Sequence, residues 1–336
     1  MKVVVYGAGS IGCYIGAVLH KQGVNVCLLG RPRIKDAIEA NGGLRLTDYQ
    51  GRDEIISNVP FTTTPDVLAD ADVVLITLKC TAMPSATEEI AQNCGKKALI
   101  IALQNGVGAP ESLQSALPEF RIYPGIVPFN VVQNDSCHFH RATDGALHFP
   151  LQDLLIPLKK AYEEYGINCE LHRDIAAVIW GKLQLNLNNA INALSNIPLK
   201  LQLEQRGYRL VLARCQSELL ALCKHKGIKL AKLTAVPPRL LPAILRLPDW
   251  VFKRIAQKML AIDPAARSSM WEDMQAQRQT EIDFLNGAVV AMAEASGLKA
   301  PANKMAAQLI REYQQNEEIP SLSATQLLKL IDQNVQ

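Results

Sequence analysis

The stretch from Lys2 to Arg31 decides the fold of the first half of the chain, and it reads KVVVYGAGSIGCYIGAVLHKQGVNVCLLGR. A continuous apolar run, KVVVY, leads directly into the glycine-rich segment GAGSIG, which opens a helical pattern that ends at Gly23. A second apolar run, VNVCLL, follows at once. Strands that are apolar throughout are buried on both faces, so this order predicts a parallel sheet covered by helices.

The glycines between the first strand and the first helix predict a ligand. Gly7, Gly9 and Gly12 stand in the spacing G-x-G-x-x-G. In this context the first glycine makes a tight turn, the second lets the backbone approach a pyrophosphate, and the third lets the helix pack closely. The free N–H groups at the helix N-terminus favour an anion. We therefore predict a bound dinucleotide, held by Gly7, Ala8, Gly9, Ser10, Ile11 and Gly12.

The residues after the second strand predict which dinucleotide binds. NAD-binding domains usually carry Asp or Glu about 20 residues after the glycines, where it holds the ribose 2′-hydroxyl. Here the sequence is LLGRPR, in which Arg31 follows Gly30, Arg33 stands close behind, and there is no carboxylate. Because a guanidinium complements a 2′-phosphate, we predict NADPH with Arg31 on that phosphate. An exposed loop arginine is the alternative.

Two more apolar strands, DVVLITLK and KALIIALQNG, lead to the polar residues Lys79 and Asn105. Ligands of open parallel sheets lie outside the carboxyl ends of the strands, so both residues are predicted near the cofactor. Polar loop residues without such a role are the alternative. The remaining patterns predict a hairpin from GLRLTD and DEIISNV, irregular β-structure over 121–149, a helix over about 151–165, and a last strand in GINCELH.

From about Asp174 the pattern becomes helical, and we predict helices over 175–195, 201–227, 238–260, 269–296 and 301–315. A chain of 336 residues exceeds the roughly 250–300 residues that a single core supports. The predicted architecture is an α/β Rossmann-type domain over 1–173 followed by an all-helical domain over 174–336. Within the second domain, the proline-rich stretch from Pro237 to Trp250 is either a lid or subunit contact, or a set of buried connecting helices.

The composition excludes several classes of protein. Lys plus Arg number 35 against 32 Asp plus Glu, and a net charge of +3 gives no reason to expect a nucleic-acid partner. No apolar run reaches the roughly 18 residues of a membrane span. The eight cysteines form no C-x-x-C pair, and the chain starts with a strand pattern instead of a signal peptide. We expect a reduced cytoplasmic protein without a metal, and a homodimer stays open.

The stretch WGKLQLNLNNAIN (180–192) has helical apolar spacing, yet it contains one lysine and four asparagines. Burying an amide or an ammonium without a partner costs roughly several kcal/mol. At about 100° per residue, one stripe carries Lys182, Asn186 and Asn189, whereas Asn188 and Asn192 lie off it. A cation beside two amides suits an α-keto acid, and a lysine whose pKa is lowered by burial can act as a general acid. A solvent-exposed polar face is the alternative.

A second polar constellation is SSMWEDMQAQRQTEIDFLNG (268–287). Ser269 followed by Glu272 predicts a capping box at the start of a helix. We expect four further polar residues to lie along that helix, and nothing in the pattern singles one of them out as functional. They are Asp273, Thr280, Glu281 and Asp283.

Together these motifs resemble those of the ketopantoate reductases (2-dehydropantoate 2-reductases). The matching signatures are GAGSIG, TLK, QNG, W-x-K-L-x-x-N at 180–186, and SSM-x-x-D with TEID-x-x-NG at 268–287. The resemblance covers nearly the whole chain. It implies a Rossmann domain joined to a helical domain like that of 6-phosphogluconate dehydrogenase, and NADPH-dependent reduction of 2-dehydropantoate to pantoate.

The resemblance also implies roles for individual residues. Lys182 matches the lysine that polarises the ketone and protonates the alkoxide, and Glu281 matches an acid that helps to hold the substrate. The other matches are Asn186 and Ser269 at the substrate, Asn105 between nicotinamide and substrate, Lys79 on the cofactor side, and Arg31 at the 2′-phosphate.

The chain departs from the family pattern in two places. Ala190 stands where a second substrate asparagine is common, with Asn189 as the nearest replacement, and the stretch from Pro237 to Ala261 is long. A smaller residue at 190 would enlarge the pocket, which favours a D-2-hydroxyacid dehydrogenase for another 2-keto acid as one alternative. An NADPH-binding redox-sensing regulator is another, although such a protein has no use for Lys182 and Glu281.

Overall fold

The computed structural model describes residues 1–257, 260 and 264–334. The chain divides into two compact units, the first formed by Met1–Gln104 and Ala109–Ile175 and the second by Asn105–Gly108 and Ala176–Gln336. The predicted combination of a Rossmann-type unit and a helical unit is confirmed. The predicted domain boundaries, 1–173 and 174–336, stay a prediction, and Asn105–Gly108 is grouped with the helical unit.

The first unit contains three sheets. Its strands are β1 (Lys2–Tyr6), β2 (Asn25–Leu29), β3 (Leu44–Asp48), β4 (Asp53–Ile56), β5 (Phe61–Thr62), β6 (Val73–Ile76), β7 (Leu99–Ala102), β8 (Arg121–Pro124), β9 (Val131–Gln133), β10 (His138–Arg141), β11 (Leu147–Pro150) and β12 (Cys169–His172). Its helices are α1 (Ser10–Lys21), α2 (Pro32–Asn41), α3 (Met83–Asn93), α4 (Ala109–Ala116) and α5 (Ile156–Tyr165).

The largest sheet has the strand order β5-β2-β1-β6-β7-β8, and all of its pairs are parallel. Its centre is β1, where Val3 pairs with Val26 on one side and with Val73 on the other. Val3 and Val4 are both fully buried and belong to separate apolar clusters on the two faces of the sheet. The continuous apolar strands are therefore explained by burial on both faces, as predicted.

The rest of the first unit lies outside this sheet. The predicted hairpin is confirmed as the antiparallel pair β3–β4, and β10 and β9 extend it into a sheet of order β4-β3-β10-β9. GINCELH forms β12, but β12 pairs only with β11 in a sheet of its own. The helix expected over about 151–165 begins later, because a 3-10 turn at Asp153–Leu155 precedes α5.

The second unit is helical in its described residues. Its helices are α6 (Ile175–Asn186), α7 (Asn188–Ser195), α8 (Leu199–Glu204), α9 (Arg206–Lys226), α10 (Leu241–Leu245), α11 (Asp249–Ile255), α12 (Ser269–Gln275), α13 (Asn286–Glu294), α14 (Pro301–Gln315) and α15 (Ala324–Asn334). Among the described residues, no helix is long and apolar enough to span a membrane.

Several helices predicted as single elements are interrupted. Leu187 separates α6 from α7, and Gln205 separates α8 from α9 with an extended backbone of φ −97° and ψ 116°. The helix expected over 269–296 is the largest error, since α12 ends at Gln275 and Gln277 adopts a φ of 50°. Two of these breaks lie at exposed polar residues, Gln205 and Gln277, which the predicted helices had included.

The helix over 301–315 is confirmed as α14, whereas α15 was not predicted. The stretch from Pro237 to Trp250 contains a 3-10 turn, α10 and the start of α11. The stretch is anchored by Arg209 of α9, which is fully buried and donates to the carbonyls of Leu245 and Leu247. Leu240 and Trp250 are nevertheless 47% and 75% exposed, so the choice between a lid or subunit contact and buried connecting helices stays open. The helix expected over 238–260 is broken into these short elements, and Lys258, Met259 and Ala261 lie outside the described residues.

Candidate active site

The glycine-rich turn has the geometry of an anion-binding loop. Gly7 has a φ of +115°, and its N–H donates to the carbonyl of Leu29 at 2.9 Å. A Cβ at Gly12 would stand 2.2 Å from the carbonyl oxygen of Gly7, so only glycine lets α1 start this close to β1. Gly9 is exposed, and nothing lies within 4 Å of the position of its missing Cβ. An open surface therefore adjoins the N-terminus of α1, which fits a pyrophosphate.

Arg31 stands at the start of α2, directly after β2. Its backbone is extended, with a φ of −79° and a ψ of 148°, and Pro32 opens the helix behind it. Both Arg31 and Arg33 are exposed. Within the part of the chain that the structure describes, the Arg31 guanidinium makes no hydrogen bond or ion pair with protein. Its position therefore leaves this cation available to a ligand.

Lys79 is the third residue after β6 and caps a short 3-10 turn, Cys80–Ala82. Its side chain is exposed. The carboxyl end of β6 adjoins that of the central strand β1, because the two strands run parallel with Tyr6 opposite Ile76. Lys79 therefore lies at the edge of the sheet where the glycine-rich turn is also found, as its place after the strand predicted.

The helical unit contains the predicted lysine. Lys182 and Asn186 lie one turn apart in α6 and so share a face of that helix. Desolvation by burial lowers the pKa of the Lys182 ammonium below its usual value of 10.5. Asn186 is 9% exposed. Among the described residues, neither side chain has a hydrogen-bonding partner, so a cation and a nearly buried amide are left without protein ligands.

The other asparagines of this run are different. Asn192 is fully buried, donates to the carbonyl of Ile197 at 2.9 Å and to Gln202 at 3.1 Å, and accepts from the N–H of Ser268 at 2.9 Å. Asn188 accepts a hydrogen bond of 2.7 Å from Gln202. Protein groups therefore compensate the burial of these two amides.

Asn189 lies in α7, beyond the interruption at Leu187, and is partly exposed. Its backbone carbonyl accepts from the hydroxyl of Ser268 at 3.1 Å, while its side-chain amide makes no hydrogen bond within the described residues. The next residue, Ala190, is fully buried and offers no accessible surface to a ligand. The effect of Ala190 on the size of a substrate pocket stays a prediction.

Ser269 starts α12, but it is not the cap. Ser268 is the N-cap, and its hydroxyl accepts a hydrogen bond of 3.2 Å from the N–H of Trp271. The predicted capping box with Glu272 is therefore wrong by one position. Because Ser268 is also bonded to Asn189 and Asn192, the start of α12 is held against α7. Ser269 is partly exposed beside this junction.

Glu281 does not lie on a helix, contrary to the prediction. It has a φ of −92° and a ψ of 24° and precedes a 3-10 turn, Ile282–Phe284. The neighbouring N–H of Thr280 donates to the side chain of Gln314 at 3.0 Å. The irregular backbone presents the carboxylate to Asn105, whose amide donates to it at 3.0 Å.

The QNG segment reaches Glu281 because of its glycine. Gly106 has a φ of +90°, and a Cβ there would stand 2.0 Å from the carbonyl oxygen of Phe284. The N–H of Val107 donates to that same oxygen at 3.1 Å. A side chain at residue 106 would therefore separate the segment carrying Asn105 from the turn that follows Glu281.

The structure thus joins Asn105 to Glu281, Lys182 to Asn186 along α6, and Ser269 to Asn189 through the neighbouring Ser268. All six belong to the helical unit. The supporting contacts made by Ser268, Gln314 and Gly106 were not predicted from the sequence. The sequence signal for them was weak, because a serine pair, a distant glutamine and a lone glycine are each common in loops.

Comparison with known proteins adds a family to this geometry. The model described as "Ketopantoate reductase PanE/ApbA" matches residues 3–153, and the model described as "Ketopantoate reductase PanE/ApbA C terminal" matches residues 174–314. The chain belongs to the ketopantoate reductase family. The two matches include the glycine-rich turn in the first unit and Lys182 and Glu281 in the second.

Individual members of the ketopantoate reductase family are similar over nearly their whole length. A 2-dehydropantoate 2-reductase of Halobacterium salinarum is 24% identical, with 94% of this chain and 100% of that protein covered. The crystal structure of a PanE/ApbA family ketopantoate reductase from Ralstonia eutropha JMP134 has a TM-score of 0.78 at 29% identity, covering 94% of this chain and 99% of that one.

D-mandelate dehydrogenase, solved with NADH and anilino(oxo)acetate, has the same fold as this ketopantoate reductase family member. Its TM-score is 0.77 at 20% identity, with 94% of this chain and 99% of that chain covered. Because the identity is low, this likeness concerns the fold alone.

Proposed function

We propose that this protein is an NADPH-dependent reductase of a 2-keto acid, and that its substrate is 2-dehydropantoate, which it converts to pantoate. The observation that carries the proposal is the pairing of Lys182 with Asn186 on one face of α6. A lysine with a lowered pKa and a nearly buried amide, both without partners in the described protein, are costly to fold unless a polar ligand satisfies them.

In this proposal Lys182 is the general acid. Its ammonium donates a hydrogen bond to the ketone oxygen and stabilises the negative charge that develops there, which is usually the largest single contribution to such catalysis. It then gives a proton to the alkoxide. The lowered pKa makes this transfer easier than from an ordinary lysine, because the acid is closer in strength to the pH at which it works.

The remaining groups of the helical unit bind and orient the substrate. Asn186, Asn189 and Ser269 supply donors for the carboxylate and hydroxyl oxygens of a keto acid. The carboxylate of Glu281 accepts a hydrogen bond from the far hydroxyl of the substrate. Asn105 orients that Glu281 carboxylate through its hydrogen bond of 3.0 Å. Asn105 also belongs, in this proposal, to the residues at the nicotinamide.

The first unit holds the cofactor. The glycine-rich turn, Gly7, Ala8, Gly9, Ser10, Ile11 and Gly12, binds the pyrophosphate, Arg31 binds the 2′-phosphate, and Lys79 lies on the cofactor side. A bound reduced nicotinamide supplies the hydride for the ketone carbon. We assign cofactor binding to residues 1–173 and substrate binding to residues 174–336, with Asn105 as the exception. A homodimer and a cytoplasmic location stay predictions.

The first experiment compares keto acids by the loss of NADPH absorbance, with 2-dehydropantoate, phenylglyoxylate, pyruvate and 2-oxoisovalerate side by side. We expect the highest kcat/KM with 2-dehydropantoate. A higher value with phenylglyoxylate would retain the reaction but replace the substrate, as in a D-2-hydroxyacid dehydrogenase. No turnover of any keto acid, with NADPH still bound, would overturn the reductase and favour a regulator.

The second experiment tests the cofactor with the Arg31→Ala variant. A hydrogen bond to a charged group contributes about 1.5–3 kcal/mol, so we expect the Kd of NADPH to rise by roughly 10- to 150-fold. The Kd of NADH should change little, since NADH has no 2′-phosphate. Arg33→Ala is the matched control. Equal losses for both cofactors would contradict the assignment of Arg31 to the phosphate.

A further inference from the structure

Two histidines and a glutamate converge on one face of the small sheet β11–β12. His148 Nδ1 and His172 Nε2 are 2.9 Å apart. An oxygen of Glu170 lies 3.6 Å from His148 Nδ1 and 3.4 Å from His172 Nε2. The three side chains therefore bring two nitrogens and one carboxylate oxygen around a single point.

The strand geometry explains why they meet. Glu170 and His172 are two residues apart on β12, so their side chains leave the same face of the strand. His148 on β11 stands opposite Glu170 in the parallel register and diagonal to His172. The alternate positions Leu147 and Cys169 are buried. The apolar face of this strand pair thus fixes the position of the three polar side chains on the other face.

The distances fit a divalent cation. With bonds of about 2.0–2.1 Å to histidine nitrogen and carboxylate oxygen, neighbouring ligands of a tetrahedral zinc ion are about 3.3–3.4 Å apart. The two separations to Glu170 are close to that value. The shorter separation of the two nitrogens has to widen by roughly 0.4 Å, which a small rotation of an imidazole ring supplies.

The burial is also that of a metal site. The side chains of His148 and His172 are 14% and 23% exposed, and that of Glu170 is 58% exposed. The two rings are thus held in place by their surroundings, while the carboxylate side remains open to solvent and gives an ion a path of entry. Two imidazoles and one carboxylate form a ligand set that suits zinc and other first-row transition metals such as copper, iron and nickel.

We propose that His148, Glu170 and His172 bind one divalent transition-metal ion, with zinc as the physiological choice. Three protein ligands leave the fourth tetrahedral position to water. The ion links β11 to β12 across the segment that contains α5, and it stabilises the first unit because it binds the folded state and not the unfolded chain. No metal was predicted from the sequence, and the two histidines, which are 24 positions apart, follow no metal motif.

A second histidine pair in the same unit provides a control. His138 Nε2 and His140 Nδ1 on β10 both lie 2.8 Å from the hydroxyl of Thr47. This pair shares one strand face, as Glu170 and His172 do, but a neutral hydroxyl stands where the proposed site has a carboxylate. Among the described residues, the proposed site is the one cluster in which three His, Cys, Asp or Glu ligand atoms approach closely enough to share an ion.

The test titrates Zn²⁺ into chelator-treated protein without an affinity tag and measures the binding heat and the apparent Tm. We expect one equivalent per chain and a higher Tm with zinc. His148→Gln and His172→Gln should each weaken zinc binding by at least about tenfold. Mutating even a residue that only hydrogen-bonds to a metal ligand lowers metal affinity by roughly 10- to 100-fold. Glu170→Gln, an isosteric change at an exposed residue, is the variant that preserves the fold. The control variant with both His138→Gln and His140→Gln should bind zinc as the parent does.

Bound Co²⁺ identifies the ligands independently. Imidazole and carboxylate give a visible d–d spectrum without the intense thiolate charge-transfer band that cysteine ligation would produce. That distinction is needed because the eight cysteines are free. The proposal is overturned by the absence of zinc binding, by a thiolate band, or by equal affinity in the His148, Glu170 and His172 variants. None of these results depends on keto acid reduction, so the proposed function is tested separately.

Discussion

Two sets of polar side chains in α6 and α7 differ in what satisfies them. Asn188 and Asn192 are bonded to protein, chiefly through Gln202 and Ser268. Lys182 and Asn186, a few residues earlier, have no hydrogen-bonding partner among the described residues. Yet burial lowers the pKa of Lys182, and Asn186 is only 9% exposed. The same residue type, asparagine, thus occurs in both environments within one helical run.

The difference separates residues that stabilise the fold from residues kept for a ligand. An amide with a complete set of protein partners recovers the free energy that its burial costs. A buried group without partners destabilises the protein until something binds to it. We therefore expect substitutions in the first set to lower stability and substitutions in the second set to lower activity.

The largest effect is expected for Lys182→Met, which keeps the apolar stem and removes the ammonium. Loss of a general acid that also stabilises the oxyanion should lower kcat by roughly 10²- to 10⁴-fold. NADPH affinity, measured by fluorescence, should remain. A variant with parental kcat would contradict the assigned role. Lys229→Met, outside the proposed site, is the matched control.

The same variant should be as stable as the parent or more stable. The pKa of Lys182 is lower in the folded protein than in the unfolded chain, where it is 10.5. Burying the charged ammonium therefore lowers the stability of the folded protein by its full amount at a pH below the lowered pKa. This destabilisation disappears as the pH rises to 10.5. Lys182 has to be protonated to act as a general acid. As the pH rises, kcat of the parent should therefore begin to fall at a pH below 10.5, the ordinary pKa of lysine. A lower Tm for Lys182→Met at neutral pH would argue against desolvation as the cause.

The second largest effect is expected for Asn192→Ala, and it concerns stability. The substitution removes the partner of the Ser268 N–H and of the Gln202 side-chain oxygen, and both residues are buried. At about 1–3 kcal/mol for each stranded group, the free energy of unfolding should fall by roughly 2–6 kcal/mol. The midpoint of urea unfolding measures this. Activity per folded molecule should stay within a few-fold of the parent. A loss of kcat without a loss of stability would place Asn192 among the residues that bind the ligand.

A third prediction concerns the hydrogen bond between Asn105 and Glu281. Glu281→Gln keeps an oxygen that accepts from Asn105 but removes the charge, and we expect kcat/KM to fall by roughly 10- to 100-fold, the effect of one charged hydrogen bond. Asn105→Ala should do similar harm by removing one hydrogen bond that orients the carboxylate of Glu281. The double variant should be less impaired than the sum of the two single changes, because the residues act together. Strict additivity would show that they work independently.

The smallest effect is expected for Asn186→Ala. It removes one neutral donor from the proposed substrate site, so kcat/KM should fall by about tenfold, corresponding to roughly 1–1.5 kcal/mol. The Tm should not fall, since no protein partner among the described residues is stranded. Measured in the same assays, Asn186→Ala should lose activity but not stability, and Asn192→Ala should lose stability but not activity. A marked loss of stability in Asn186→Ala would place Asn186 in the structural set.

Much of the first unit could be predicted, because its signals are local. The turn at Gly7 and Gly12 follows from residues next to one another, and the buried strands follow from runs of apolar side chains. The irregular backbone around Glu281 could not be predicted in this way. Its conformation depends on Gln314 and on the close approach of Gly106 to Phe284, which are contacts between distant parts of the chain.

Four features follow from local sequence: the parallel sheet, the glycine-rich turn, Arg31 after β2, and the face of α6 that carries Lys182 and Asn186. They could be predicted because apolar periodicity and steric limits act over a few residues. Only the tertiary structure decided which asparagines are satisfied, that Ser268 caps α12, that Asn105 meets Glu281, and that His148 meets Glu170 and His172. Those outcomes depend on which side chains the folded chain brings within hydrogen-bonding distance, and local pattern carries no information about that.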